Sequence, residues 1–166
     1  MLKTPQYGSR RPASLKASLT GIRNKRSGTR PERLLISALR KLGILAHSSK
    51  KRVLGSPDLV FWKNQLAVFC DGDFWHGRNW RQGRRRLEDG SNPGYWVKKI
   101  EYNRQRDKRN TTLLKQAGWN VLRIWESDLL RNPIGAAFQV ASFISMPSKA
   151  QLSSRCNQTD TSQEEA

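Results

Sequence analysis

Asp58 follows Pro57 and opens an apolar run, DLVFW (58–62), where an unpaired carboxylate is costly unless a cation meets it. The next apolar run, LAVFC (66–70), leads into Asp71-Gly72-Asp73, so a hairpin would bring Asp58 and the Asp71 region to one sheet edge. Mg²⁺ suits such a place, because it takes one or two carboxylates together with backbone oxygen, water and substrate phosphate. Turn chemistry is the plainer alternative, since Asp and Gly are ordinary at strand ends. His76, just past Phe74 and Trp75, is one of two histidines and is placed to deprotonate a water beside such a metal. A structural hydrogen bond would explain it equally well. The other, His47, sits in a basic loop with nothing to organise it.

On a helix running from about Tyr95 to Ala117, Trp96, Ile100, Asn103, Asp107, Thr111 and Leu114 fall within an arc of roughly 80°. Asn103 and Asp107 thus interrupt an apolar face, and either a catalytic centre or an arginine must satisfy them. Glu32 borders the apolar face of the first helix, where it either serves the same site or closes a capping box. The stretch from Arg78 to Arg86 holds five arginines, Arg84, Arg85 and Arg86 among them, and leads into Asp89-Gly90-Ser91-Asn92-Pro93-Gly94. It reads as a flexible basic loop which, with Lys98 and Lys99, could hold phosphates while Phe74, Trp75 and Trp96 meet bases. Alternatively those rings are core and those cations a solvated face.

Helices and strands must hold these groups. Thr29-Arg30-Pro31-Glu32 has capping-box spacing and precedes Leu35, Leu39 and Leu42 at helical period, with Gly43 as the stop. Lys63-Asn64-Gln65 joins the two apolar runs as a hairpin, NVLRIWE (120–126) reads as a third strand, and residues 134–146 as a closing helix. The order helix, hairpin, helix, strand, helix predicts an α/β fold, a mixed central sheet with helices packed on it.

Lys plus Arg total 31 against 13 Asp plus Glu, a net charge of +18 that points to a polyanionic partner. Seven cations and no acid lie in residues 1–28, read as a disordered tail that either follows a phosphate backbone or aids solubility. Residues 147–166 read as a second disordered tail, leaving 29–146 as the folded domain. No apolar run is long enough for a membrane helix, and the N-terminus lacks a secretory stretch, so a cytoplasmic protein with no membrane partner is expected. Two distant cysteines, Cys70 and Cys156, make neither a disulfide scaffold nor a Cys-rich zinc site.

Together, GSPDLVF (55–61), VFCDGDFWHG (68–77), YWVKKIEYNRQRDKRN (95–110) and GWNVLRIWE (118–126) resemble the very-short-patch repair (Vsr) endonuclease family, in the right order and over about residues 28–131. The resemblance implies a restriction-endonuclease-like fold of the PD-(D/E)xK type. It also implies a Mg²⁺-dependent nick in double-stranded DNA, 5′ to the thymine of a T:G mismatch. By the same resemblance Asp58 is the main metal-binding aspartate, the backbone carbonyl of Cys70 a main-chain ligand, and His76 the residue that activates water. Glu32, Asn103 and Asp107 then organise the site, and Phe74, Trp75 and Trp96 are wedges inserted beside the mismatch. Asp71 replaces a histidine of the best-known member and is expected to be a second metal carboxylate or to hold a catalytic water. That member also builds a structural zinc site, but the corresponding places here hold Asp73, Arg78, Trp80 and Ser127, so no zinc is expected. A monomer and a functional link to a cytosine DNA methyltransferase complete these expectations. The rival readings are a restriction-associated or generic nicking enzyme without mismatch choice, and a non-catalytic DNA-binding protein.

Overall fold

A computed structural model describes residues 28–46 and 53–145. His47, Cys156, the 147–166 tail and the basic tail up to residue 27 lie outside the described residues. Helix α1 spans Arg30–Lys41; strand β1, Leu59–Phe61, passes through a 3-10 turn at Trp62–Asn64 into β2, Leu66–Asp71. Helices α2 (Trp80–Glu88) and α3 (Pro93–Gln116) cross to β3 (Asn120–Trp125), and α4 (Glu126–Arg131) and α5 (Pro133–Ser145) close the chain. No helix among the described residues is long and apolar enough to cross a membrane.

The sheet has the order β1-β2-β3, with β1 antiparallel and β3 parallel to β2. As the middle strand β2 is covered on both faces, which is why Leu66, Ala67, Val68 and Phe69 form an unbroken apolar run instead of alternating. Leu66 and Val68 pack with Leu59 and Ile124 against Leu35 and Leu39 of α1, Leu129 of α4 and Val140 of α5. Ala67 and Phe69 face the opposite way, towards Leu114 of α3 with Val121 and Trp119. The expected mixed sheet flanked by helices is present.

Two expectations are corrected. The arginine-rich stretch is not a loop throughout, because residues 80–88 form α2, and Trp80 and Leu87 are its less exposed side chains. A polarity broken only by these two large apolar residues hid a helix that packs beside α3. The third strand stops at Trp125, and Glu126 already begins α4, whose acidic first turn suits a helix N-terminus.

Glu32, 4% exposed, has both carboxylate oxygens occupied at the start of α1. The Gly28 N–H donates to Oε2 at 2.8 Å, and the Thr29 N–H and hydroxyl donate to Oε1 at 3.3 and 2.7 Å. The geometry therefore gives Glu32 the capping role. Glu32→Ala is expected to lower unfolding free energy by about 1–3 kcal/mol, and Glu32→Gln by less because an acceptor remains. Urea denaturation measures both, and an unaltered Glu32→Ala midpoint would remove the cap from Glu32.

Candidate active site

Strand parity aims the first group. Asp58 donates its N–H to the Val68 carbonyl at 2.9 Å, after which Pro57 takes the chain out of the ladder with no N–H to offer. The Cys70 N–H, facing the same edge as the Val68 carbonyl, donates instead to Asp58 Oδ2 at 2.6 Å. A residue's N–H and C=O leave a strand on the same side, so the Cys70 carbonyl is directed to the same edge of β2. The Asp58 side chain and the Cys70 peptide group thus share the edge where β1 ends.

No Lys, Arg or His of the described residues forms an ion pair with Asp58 within 4 Å, and the Cys70 amide is its hydrogen-bond partner. Burial raises its pKa from 3.8 to about 6 against the pull of the Cys70 amide, with the charges of Glu32 and Asp71 adding to the rise. Burial, followed by the same acids and Asp58 itself, also pushes the Cys70 thiol up, so it stays neutral. A partly buried carboxylate with no ion-pair partner among the described residues fits Mg²⁺. Among the described residues no three Asp, Glu, His or Cys side chains form a ready-made metal cage. Mg²⁺ does not require one, since water and substrate oxygens complete its shell.

On the α3 side of the sheet, Asn103, Asp107 and Thr111 repeat at i, i+4 and i+8 and form one row. Asn103 Nδ2 donates to the Trp75 carbonyl at 2.9 Å, Asp107 Oδ2 lies 2.6 Å from His76 Nδ1, and Thr111 Oγ1 lies 3.5 Å from Arg123 Nη1. Burial works to raise the Asp107 pKa, but the His76 hydrogen bond and the charges of His76, Arg106 and Arg123 hold it below the usual carboxylate range. With Nδ1 held by Asp107, His76 keeps Nε2 for other work, as a general base requires. Gly77 allows this close packing. Its φ is +68°, and a Cβ there would meet Arg104 Cδ at 2.7 Å.

Asp71 has a different partner from the one expected. Arg123 holds both its oxygens, Nε to Oδ2 at 2.6 Å and Nη2 to Oδ1 at 2.7 Å, a bidentate pair that occupies the carboxylate. The guanidinium carbon lies 4.6 Å from the Phe69 ring centre. Asp71 thereby anchors Arg123 beside His76, whose Nδ1 lies 3.6 Å from Asp71 Oδ1. Arg123 was missed in the sequence, although its place on an alternating strand, between Val121 and Trp125, was a signal that something on α3's side must receive it. Asp71, His76, Asp107, Arg123, Arg104 and Trp125 line an open cavity of about 220 Å³ with Gly77.

Phe74, Trp75 and Trp96 do meet. Their ring centres are 5.1, 5.7 and 5.9 Å apart, mostly edge to face, and Phe74 and Trp75 remain 48% and 43% exposed. They are not core. Of the expected phosphate-binding cations, Arg85, Arg86 and Lys98 are exposed, and Lys99 Nζ lies 5.9 Å from the Tyr102 ring centre. Arg84 is engaged by Glu88 at 2.8 Å and Glu101 at 3.1 Å, and Arg78 by Asp128 at 2.8 Å.

The family described as DNA mismatch endonuclease Vsr matches residues 12–82. The chain is 40% identical over 110 residues to the type II nicking enzyme V.HpaIIP of Haemophilus parainfluenzae, covering 66% of this chain and 77% of that one. It is 42% identical over 117 residues to the type II nicking enzyme V.NmeDIP of Neisseria meningitidis serogroup C, covering 70% and 78%. Against the DNA mismatch endonuclease Vsr of Escherichia coli the identity is 31% over 101 residues, covering 59% and 61%.

The raised pKa of Asp58 carries a sign. Below about pH 4 both folded and unfolded chains are protonated there; between about pH 4 and 6 the unfolded chain ionises first, and above pH 6 the folded state holds the full penalty. Asp58→Asn keeps an acceptor for the Cys70 amide and removes the charge. In EDTA at pH 7.5 it is expected to stabilise the fold by up to about 3 kcal/mol, an advantage gone by about pH 4. Denaturant titration at both pH values checks this, and an Asn variant less stable at pH 7.5 would contradict it.

Proposed function

The chain belongs to the Vsr family of DNA endonucleases, and we propose that it nicks duplex DNA 5′ to the thymine of T:G mismatches, with Mg²⁺ held by Asp58 and the Cys70 carbonyl. The observation that carries this reading is Asp58, a half-buried carboxylate with no ion-pair partner among the described residues, in the charge field of a His76 bonded to Asp107. A fold of the PD-(D/E)xK type is part of the same reading, supported by the mixed sheet and by acids placed at its strand ends.

In the mechanism, Asp107 fixes the His76 imidazole through Nδ1, and Nε2 receives the proton of the attacking water. Bound Mg²⁺ would supply Lewis-acid stabilisation of charge at the scissile phosphate. Arg123 neutralises Asp71 and lies 3.6 Å from Asp107 Oδ2, so the acids around His76 are balanced by a fixed cation and do not repel the phosphate. Phe74, Trp75 and Trp96 present a three-ring wedge whose insertion costs a few kcal/mol per base step, least where a mispair already weakens stacking.

Two relatives are named type II nicking enzymes, which says nothing of mismatch choice; the second reading is a restriction-associated or generic nicking enzyme without it. A link to a cytosine DNA methyltransferase belongs to the T:G reading, since deamination of 5-methylcytosine leaves that mismatch.

The test is strand cleavage of a labelled duplex with one T:G mismatch beside its paired twin. A nick confined to the mismatched strand, present with Mg²⁺ and absent with EDTA, is expected. Equal cutting of both duplexes would transfer the function to the second reading, and EDTA-resistant cutting would remove the metal. His76→Ala should lower the rate by roughly 10²–10⁴.

A further inference from the structure

Residues 72–79, which carry Phe74, Trp75 and His76, must be held while their rings stay exposed to solvent. Backbone bonds shape the turn: the His76 N–H donates to the Gly72 carbonyl at 3.1 Å, and the Arg78 N–H to the Asp73 carbonyl at 2.9 Å. Asn103 and Asp107 tie its α3 side. On the other side a second tie is present. Arg78 donates from Nη1 to Ser127 Oγ at 2.5 Å and from Nη2 to Asp128 Oδ1 at 2.8 Å, with Asp73 Oδ1 3.5 Å from Nη1. Ser127 in turn donates to Asp73 Oδ1 at 3.1 Å.

We propose that Arg78 is a positioning residue, whose guanidinium cross-links the segment bearing the aromatic wedge and His76 to the start of α4. The link closes a ring of structure. Asp71 at the end of β2 is in register with Trp125 at the end of β3, and Ser127 and Asp128 follow at once, so both ends of the tie rest on adjacent strands. The guanidinium carbon also lies 5.7 Å from the Trp125 ring centre. Its planar fork reaches two acceptors in different directions, which a lysine ammonium on a flexible stem does not fix.

The family resemblance would put a structural zinc at Asp73, Arg78, Trp80 and Ser127, and these residues do not fit one. One is a cation, one an indole and one a neutral hydroxyl, whereas zinc sites are built from Cys, His and carboxylates. Three of the four instead join one another directly. The cation that holds this turn is supplied by the chain itself.

The proposal uses nicking as one readout and hydrogen exchange as another, so it is tested even if the mismatch reading fails. Arg78→Met removes the fork and keeps the length. Expected are amide exchange at residues 73–78 about tenfold faster with β2 and β3 unaltered, and kcat lowered roughly ten- to a hundredfold, as for a small misplacement of catalytic groups, with KM for DNA within about threefold. Ser127→Ala with Asp128→Asn should reproduce both effects, and adding Arg78→Met should deepen neither, because partners in one network are not additive. If Arg78→Met does not fold, the Ser127→Ala/Asp128→Asn protein carries the test alone. Unaltered exchange, faster exchange with unaltered kcat, additive losses, or stoichiometric zinc in the purified protein would each overturn the proposal.

Discussion

The geometry of the site depends on the unequal lengths of the strands around β2. A strand sends its peptide groups alternately to its two neighbours and its side chains alternately to its two faces. Val68 and Cys70 therefore face β1, while Phe69 and Asp71 lie on the α3 side. Because β1 ends before it can pair with Cys70, that amide needs another acceptor, and the side chain of Asp58 is the one supplied. A slip of one residue would exchange both relationships, sending Asp71 to the face of Leu66 and Val68 and turning Cys70 away from Asp58. The apolar run from Leu66 to Phe69 prevents that slip by filling two different cores at once.

The same parity divides the acids between two tasks. Asp71 shares its face with Arg123, the residue two before its direct partner Trp125 on β3, and the pair is bidentate. Asp58 lies at the opposite edge of β2, beyond the ion-pairing reach of that guanidinium. One carboxylate is thus neutralised within the chain, and the other, under the proposed reading, is left for a metal ion. Burial raises the pKa of the second, so above about pH 6 the folded state bears an electrostatic cost there.

Much of this was legible in the residues. The arc from Trp96 to Leu114 was readable because helical period is a local property, and Asn103 and Asp107 do face the site. Asp58 and His76 stood out because their types conflict with their apolar surroundings. Arg123 and the partners of Arg78 did not stand out, since each depends on a residue about 50 positions away and on the register of a parallel strand pair. Helix α2 was missed because its four arginines leave only Trp80 and Leu87 as large apolar residues, and Trp80 meets α3, its ring 5.5 Å from the Arg104 guanidinium carbon. Glu32 was ambiguous in sequence because capping and catalysis ask for the same residue at the same place.

Phe74, Trp75 and His76 are consecutive, and this joins recognition to chemistry. The Trp75 carbonyl is held by Asn103 and the His76 ring by Asp107, one turn apart on a 24-residue helix that contacts β3. A duplex seated against the rings therefore meets an imidazole whose position relative to them is already set. Displacement of either by an ångström is enough to cost orders of magnitude in rate. Under the proposed reading, a base step that resists unstacking keeps the rings out and the backbone away from His76 together. Selectivity then needs no separate contact to the thymine: the stiffness of paired DNA, set against a short segment tied on two sides, is sufficient to slow the wrong substrate.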